Sequence, residues 1–368
     1  MAVVPEVVPQ LVRGGHRVSI ERGAGIRAGF TDDAYRAAGA ELVDDASSLY
    51  GAAELILKVQ RPTLNTAQGR DEVDLLREGA ALIGLLQPSG DASLFAKLAA
   101  RSITAFSMEL VPRTSRAQMM DALSSQSTVA GYKAVLLAAN ALQKFFPMLM
   151  TAAGTVRPAR VLVIGAGVAG LQVIATARRI GAVVEAFDTR PVVKEQVQSL
   201  GAKFLEIELG EQGEGTGGYA KELSEEAHRK EQELVGTHVK DADVVITTAL
   251  VPGRRAPILV TADMVRGMRP GSVIVDLAAE MGGNCELTSP GETVVRERVT
   301  IHGEVNLPST VAFHASQLYA RNVSALIGLL VKDGALAIDL EDEIIKGALI
   351  THQGEVVHAA TKAALEKA

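Results

Sequence analysis

The chain has 368 residues, more than one ordinary core accommodates, and 48 % of them are apolar against 22 % charged, which excludes disordered and fibrous classes and predicts two globular domains. Thirty-seven basic and 43 acidic residues give a formal charge of −6, the wrong sign for gathering nucleic acid by counterion release. The single cysteine, Cys285, precludes an internal disulfide and fits a reducing compartment, and no apolar stretch reaches the ~20 residues of a membrane-spanning helix.

In chain order, residues 1–6 lack the basic and apolar regions of a secretory signal. Residues 18–21, 55–59, 82–86 and 105–110 read as strands, with helices at 32–38 and 91–100. This alternation predicts a parallel sheet covered on both faces. Residues 128–150 read as one long helix, with apolar positions every three to four residues and Pro147 near its end. A second series has strands at 161–164, 183–187, 244–247, 273–277 and 300–303. A helix at 318–331 and short pieces around 352–358 close the chain. The expected fold class is α/β, with two Rossmann-like parallel-sheet domains joined by long helices. The first comprises 1–127 plus 310–368, and the second 128–309.

The sharpest motif follows the strand at 161–164: Gly165, Gly167 and Gly170 in G-x-G-x-x-G spacing, leading into a helix. The first glycine permits the tight turn, the second lets backbone approach a pyrophosphate, and the third lets helix pack on strand. The next strand ends in Asp188, 18 residues after Gly170. A carboxylate there accepts hydrogen bonds from an adenosine ribose and repels a 2′-phosphate, so the pattern favours NAD over NADP. Arg190 lies close enough in sequence to serve a 2′-phosphate instead.

Residues 112–127 form a polar constellation. Ser115 and Gln118 have capping-box spacing, which predicts a helix starting at Ser115. Gln118, Asp121 and Ser124 or Ser125 then share a face, with Arg113 at its head. That stripe reads either as a cleft wall or as a capped, solvated helix. Five glycines between Gly210 and Gly218, followed by Tyr219, cannot pack a core and read either as a mobile lid with an aromatic tip or as a disordered excursion.

These features, with residues 130–135, 150–155, 217–222 and Gly282 to Cys285, resemble the NAD(H)-binding component of proton-translocating nicotinamide nucleotide transhydrogenases over nearly the whole chain. The resemblance implies an NAD-binding cleft between the two domains. It also implies hydride transfer from NADH to NADP+ on a partner component, coupled to proton translocation by membrane subunits. Such an enzyme is Re/Si-specific and active only with its partners. Arg113, Gln118, Asp121 and Ser124 match the nicotinamide-side cluster, with Gln118 organising the transfer geometry. Gly165, Ala166, Gly167, Val168, Ala169, Gly170, Asp188, Thr189, Arg190, Gly218, Tyr219 and Leu250 are the further expected nucleotide contacts. The implied assembly is a homodimer of this component, bound to NADP(H)-binding and membrane-spanning subunits. It would be cytoplasmic and peripheral at the inner face of a bacterial membrane, with no insertion of its own. The family normally opens with a strand and then a basic-acidic stretch, roughly twenty residues in all, before the segment matching residues 1–6, so the first sheet is expected to lack a central strand, through either a misplaced start site or an altered fold.

Alanine dehydrogenase shares the architecture. It uses a Lys and a His where this sequence has Gln60 and Gln87, neither of which can anchor and protonate a keto acid. Lys58 is close by. A non-catalytic NAD-binding regulatory subunit is the third reading. Cys285 reads as a packing residue, the seven histidines lack metal-ligand spacing, and Glu280 reads equally as facing a nicotinamide or as a solvated loop residue.

Overall fold

The computed structural model describes residues 1–66, 69–206, 225–250, 254–332 and 334–367. They form two compact units, Met1–Gln126 with Val311–Ala368, and Ser127–Thr310.

In the first unit, β1 (Ser19–Glu21) pairs in parallel with β2 (Glu41–Val43) as a two-stranded sheet of its own. Between them α1 (Asp32–Ala38) starts where Thr31 accepts the N–H of Ala34 and stops at Gly39, whose φ of 99° continues no helix. The strands β3 (Leu55–Gln60), β4 (Ala81–Leu85) and β5 (Thr104–Ser107) are parallel neighbours in a separate sheet. The strand at 18–21 therefore does not share a sheet with the other three. Helix α2 (Ser93–Ala100) crosses from β4 to β5 and buries Leu94, Phe95 and Leu98. The strand expected to run to 110 stops at Ser107, because Met108–Leu110 tightens into a 3₁₀ turn. That turn aims the Glu109 carboxylate at the N–H groups of Leu86 (3.1 Å) and Gln87 (2.9 Å).

No helix begins at Ser115. Gln118–Met120 forms a 3₁₀ turn, and α3 (Ala122–Ala141) follows it. Asp121 caps α3: its carboxylate accepts the N–H of Ser124 at 2.8 Å and the Ser124 hydroxyl at 2.6 Å. An aspartate three residues before a serine satisfies a backbone N–H and a hydroxyl at once. The helix ends at Ala141 rather than near residue 150. Pro147 lacks an N–H and disfavours helix at the residue before it, and Leu149–Thr151 pairs instead with Gly154–Val156 as a hairpin.

The second unit holds β6 (Arg160–Ile164), β7 (Val183–Phe187), β8 (Lys203–Leu205), β9 (Val244–Thr247), β10 (Val273–Asp276), β11 (Thr293–Arg296) and β12 (Val299–His302). They lie in the order β8-β7-β6-β9-β10-β12-β11, all parallel except β11 against β12. The order reverses between β6 and β9, which is where doubly wound sheets bind ligands. Alternate residues of the strands fill different cores. Val161, Val163, Val184, Val244 and Ile246 pack with Ala134 and Ala138 of α3 and Val173 and Ile174 of α4 (Val168–Arg179). Leu162, Ile164, Val245 and Ile274 pack with Val235 and Val239 of α5 (Glu225–Asp241). A sheet buried on both faces explains why these strands are unbroken apolar runs.

The chain then returns to the first unit. Helix α6 (Ala312–Leu330) begins six residues before its expected start and buries Tyr319, Val323, Leu326 and Leu330 among Val4, Tyr35 and Phe106. The closing pieces are strands: β13 (Leu349–His352) runs antiparallel beside β5, and β14 (Glu355–Val356) beside β13. Among the described residues no helix is long and apolar enough to cross a membrane.

Candidate nucleotide-binding site

The glycines after β6 are not equivalent. Gly165 has φ of 97°, and a methyl on it would stand 2.6 Å from Thr248 Oγ1. On Gly170 a methyl would stand 1.9 Å from the Gly165 carbonyl oxygen. Packing alone demands both. Gly167 has extended φ and ψ of −73° and −167°, open to any residue. Among the described residues, the one atom within 4 Å of an added methyl is Arg190 Nη2, at 3.9 Å. None of them fills that space. Gly167 precedes the first turn of α4, whose N–H groups lack partners within the helix and carry a partial positive charge. A bare backbone there suits a pyrophosphate, so the residues present fit a dinucleotide.

At the end of β7 Asp188 is buried. Its Oδ1 accepts the backbone N–H and Nε–H of Arg190, both at 2.9 Å. Its Oδ2 accepts the N–H of Ala166 and Nη2–H of Arg190, both at 2.7 Å. The carboxylate thus ties the glycine turn to the next strand. Thr189 is half-buried between the pair, Val168 is exposed, and Ala169 is half-buried.

Three supports escaped the sequence reading. The Thr248 hydroxyl, after β9, donates to the Gly165 carbonyl oxygen at 2.9 Å. Asn284 is fully buried: it accepts the N–H of Ala249 at 3.0 Å and donates to the carbonyls of Ala249 (2.9 Å) and Pro257 (2.8 Å). It thereby fixes the backbone next to exposed Leu250. Asp276 is buried at the end of β10 and accepts from Thr247, Ala278, Cys285 and Thr288. A polar residue after a strand and a glycine pair was the available signal for Asn284, and contacts across the sheet carried none for Thr248.

Glu280 is exposed, and its carboxylate accepts the N–H of Asn306 at 2.5 Å. Burial pushes the Cys285 thiol up to about 11, so little thiolate exists at neutral pH. The native protein should therefore leave a thiol reagent unconsumed until unfolded, and one equivalent consumed at once would contradict this placement. Among the described residues no three metal-ligating side chains gather.

In the first unit Arg113 and Gln118 are exposed, while Asp121 and Ser124 are half-buried. The structure does not place Gln118, Asp121 and Ser124 on one helical face. Gln118 sits on the 3₁₀ turn, Asp121 is the cap, and Ser124 lies in the first turn of α3. Asn322 of α6 holds the 3₁₀ turn by donating to the Met119 carbonyl at 2.8 Å. Gly218 and Tyr219 lie outside the described residues. Gln60 and Gln87 are exposed at the ends of β3 and β4. Lys58 is committed elsewhere: its ammonium donates to Glu72 at 2.8 Å and to the Tyr50 hydroxyl at 3.0 Å.

Residues 1–130 match the alanine dehydrogenase/PNT N-terminal domain, and residues 134–359 the C-terminal domain of the same family. The chain belongs to the alanine dehydrogenase/PNT family. Within this family it is 50 % identical over 364 residues to the first part of the NAD(P) transhydrogenase alpha subunit of Rhodospirillum rubrum, covering 98 % of this chain and 94 % of that one. A solved transhydrogenase from Sinorhizobium meliloti superposes with a TM-score of 0.87 at 45 % identity, covering 97 % of this chain and 95 % of the other. A solved L-alanine dehydrogenase superposes with a TM-score of 0.81 at 28 % identity, over 100 % and 95 % of the two chains. As a member of the alanine dehydrogenase/PNT family, the chain has a nucleotide-binding Rossmann-like fold.

Proposed function

We propose that this chain is the NAD(H)-binding component of a proton-translocating, Re/Si-specific transhydrogenase. It passes a hydride from NADH to NADP+ on a partner component, with membrane subunits coupling the transfer to proton movement. The observation that carries the NAD(H) reading is the bare backbone of Gly167 at the start of α4, beside the Asp188 carboxylate. Asp188, Ala166 and the glycine turn serve the adenosine and pyrophosphate end, with Val168, Ala169, Thr189 and Leu250 around it. Arg113, Gln118, Asp121 and Ser124 serve the nicotinamide end, and Gly218 and Tyr219 close over the nucleotide. NADH, when bound, supplies the hydride. The chain's own work is to orient and to exclude water, which amide, hydroxyl and guanidinium groups do without a tuned acid or base.

Identity supports the transhydrogenase reading over alanine dehydrogenase, 45 % against 28 % among the solved structures. So does chemistry. Gln60 and Gln87 offer no cationic anchor or proton donor, and Lys58 is spent on Glu72 and Tyr50. L-alanine with NAD+ should accordingly yield no NADH above background, and steady alanine-dependent absorbance at the nicotinamide band would contradict the assignment. A homodimer is supported by the apolar surface leading into and along the hairpin, where Phe145, Met148 and Met150 are 58 %, 57 % and 77 % exposed. Attachment at the inner face of the cytoplasmic membrane would come through the partner subunits.

Fluorescence titration tests the nucleotide reading. NADH should bind tightly and NADPH weakly, because Asp188 repels a 2′-phosphate, and Asp188→Ala should narrow the gap. Equal affinities in the unaltered protein would contradict it.

A further inference from the structure

We propose that the Arg190 side chain is a gate on the ribose seat, holding the Asp188 acceptor positions that a ribose diol takes and swinging out to admit it. This rests on the NAD(H) reading above and concerns the same site.

An ionised carboxylate has about four lone-pair sites. At Asp188 all four are engaged by N–H groups of the chain, two on each oxygen, at 2.7 to 2.9 Å. Two of these donors, the backbone N–H groups of Ala166 and Arg190, are fixed by the glycine turn and the strand end. The other two, Nε–H and Nη2–H, belong to one rotatable side chain. A diol donating both hydroxyls to Asp188 must therefore displace the guanidinium and nothing else. The pair is well shielded, with side-chain exposures of 12 % and 5 %, so it is not loosened by solvent. The same Nη2 is the described atom that stands nearest the open face of Gly167. One movement thus clears the ribose seat and the approach to the turn together.

Competition has a direction. Removing the guanidinium should strengthen NADH binding, because the diol no longer displaces a charge-assisted pair. Arg190→Met should bind NADH about ten-fold more tightly, the size of roughly one net hydrogen bond to a charged group. Arg190→Lys keeps the charge but not the two-pronged fork, and should fall between.

The wild-type protein supplies a readout that needs no variant to fold. In ¹H–¹⁵N spectra of the arginine side chains, assigned by the signal missing in Arg190→Lys, the Arg190 Nε–H should be shifted and slow to exchange in nucleotide-free protein. Saturating NADH should return it to a solvent-like position. Reduced nicotinamide mononucleotide, which lacks the adenosine ribose, should leave it in place. An Nε–H signal unmoved by NADH, or Arg190→Met binding NADH no more tightly than wild type, would overturn the gate. Failure of the wild-type protein to bind NADH at all would overturn the NAD(H) reading itself, and the gate with it.

Discussion

Gly167→Ala should leave the protein folded and weaken NADH binding on the order of 100-fold, whereas Gly170→Ala should damage the fold itself. The two changes add the same methyl three residues apart, and their surroundings separate them. At Gly167 the methyl meets, among the described residues, only Arg190 Nη2, at 3.9 Å, on a backbone any residue adopts. Stability is therefore untouched, and the loss falls on whatever needs close approach to that backbone. A 100-fold loss corresponds to about 2.7 kcal/mol, the scale of one or two charge-assisted hydrogen bonds pushed out of reach. At Gly170 the methyl overlaps a backbone oxygen at 1.9 Å. Helix α4 must then lift off the turn, at a cost of about 3 kcal/mol or more. Denaturant unfolding beside NADH titration checks both. Equal effects on stability would mean that Gly167 is only a turn residue.

Gln118→Asn should leave NADH binding within about two-fold of wild type and slow hydride transfer about 100-fold in the reconstituted complex. The substitution draws the amide back by about 1.5 Å, one C–C bond. Rates that depend on near-attack geometry lose about two orders of magnitude for a misplacement near 1 Å. Gln118 suits such a role because its base is rigid while its amide is exposed. Met120 is buried beneath the 3₁₀ turn, and Asn322 bonds the Met119 carbonyl from α6. Stopped-flow transfer to an NADP+ analogue, with binding measured separately, reads the split. Equal losses of binding and rate would make Gln118 a simple ligand contact, and no loss would make the turn a solvated surface.

The second unit was legible because its strands are buried on both faces. Continuous runs such as 161–164 and 244–247 need no partner information to be recognised. Its glycine turn was legible for the same local reason, and so was Asp188 at the end of the next strand. The start of α3 was not. Ser115 and Asp121 both precede plausible first turns, and the choice was made by a cap that satisfies two donors of Ser124 and by the Asn322 contact from residues far along the chain. The first unit's sheet was harder still. That β1 pairs with β2 apart from the main sheet, and that residues near 350 add an antiparallel strand beside β5, are pairings between segments distant in sequence. Local periodicity carries no register. The saturation of Asp188 belongs to the same class. Sequence places Arg190 two residues on, and only the folded geometry returns its guanidinium to the carboxylate.

The most direct measurement follows one atom. NADH deuterated at the transferred position of C4 is mixed with this protein, NADP+ and the NADP(H)-binding component, and the NADPH formed is examined by mass spectrometry. The account predicts that the deuterium appears on the nicotinamide of NADPH with no dilution by solvent hydrogen, and that leaving out this protein stops the transfer. Loss of the label to water, NADPH formation without this protein, or, when pyruvate and ammonia are added, delivery of the label to alanine would contradict it.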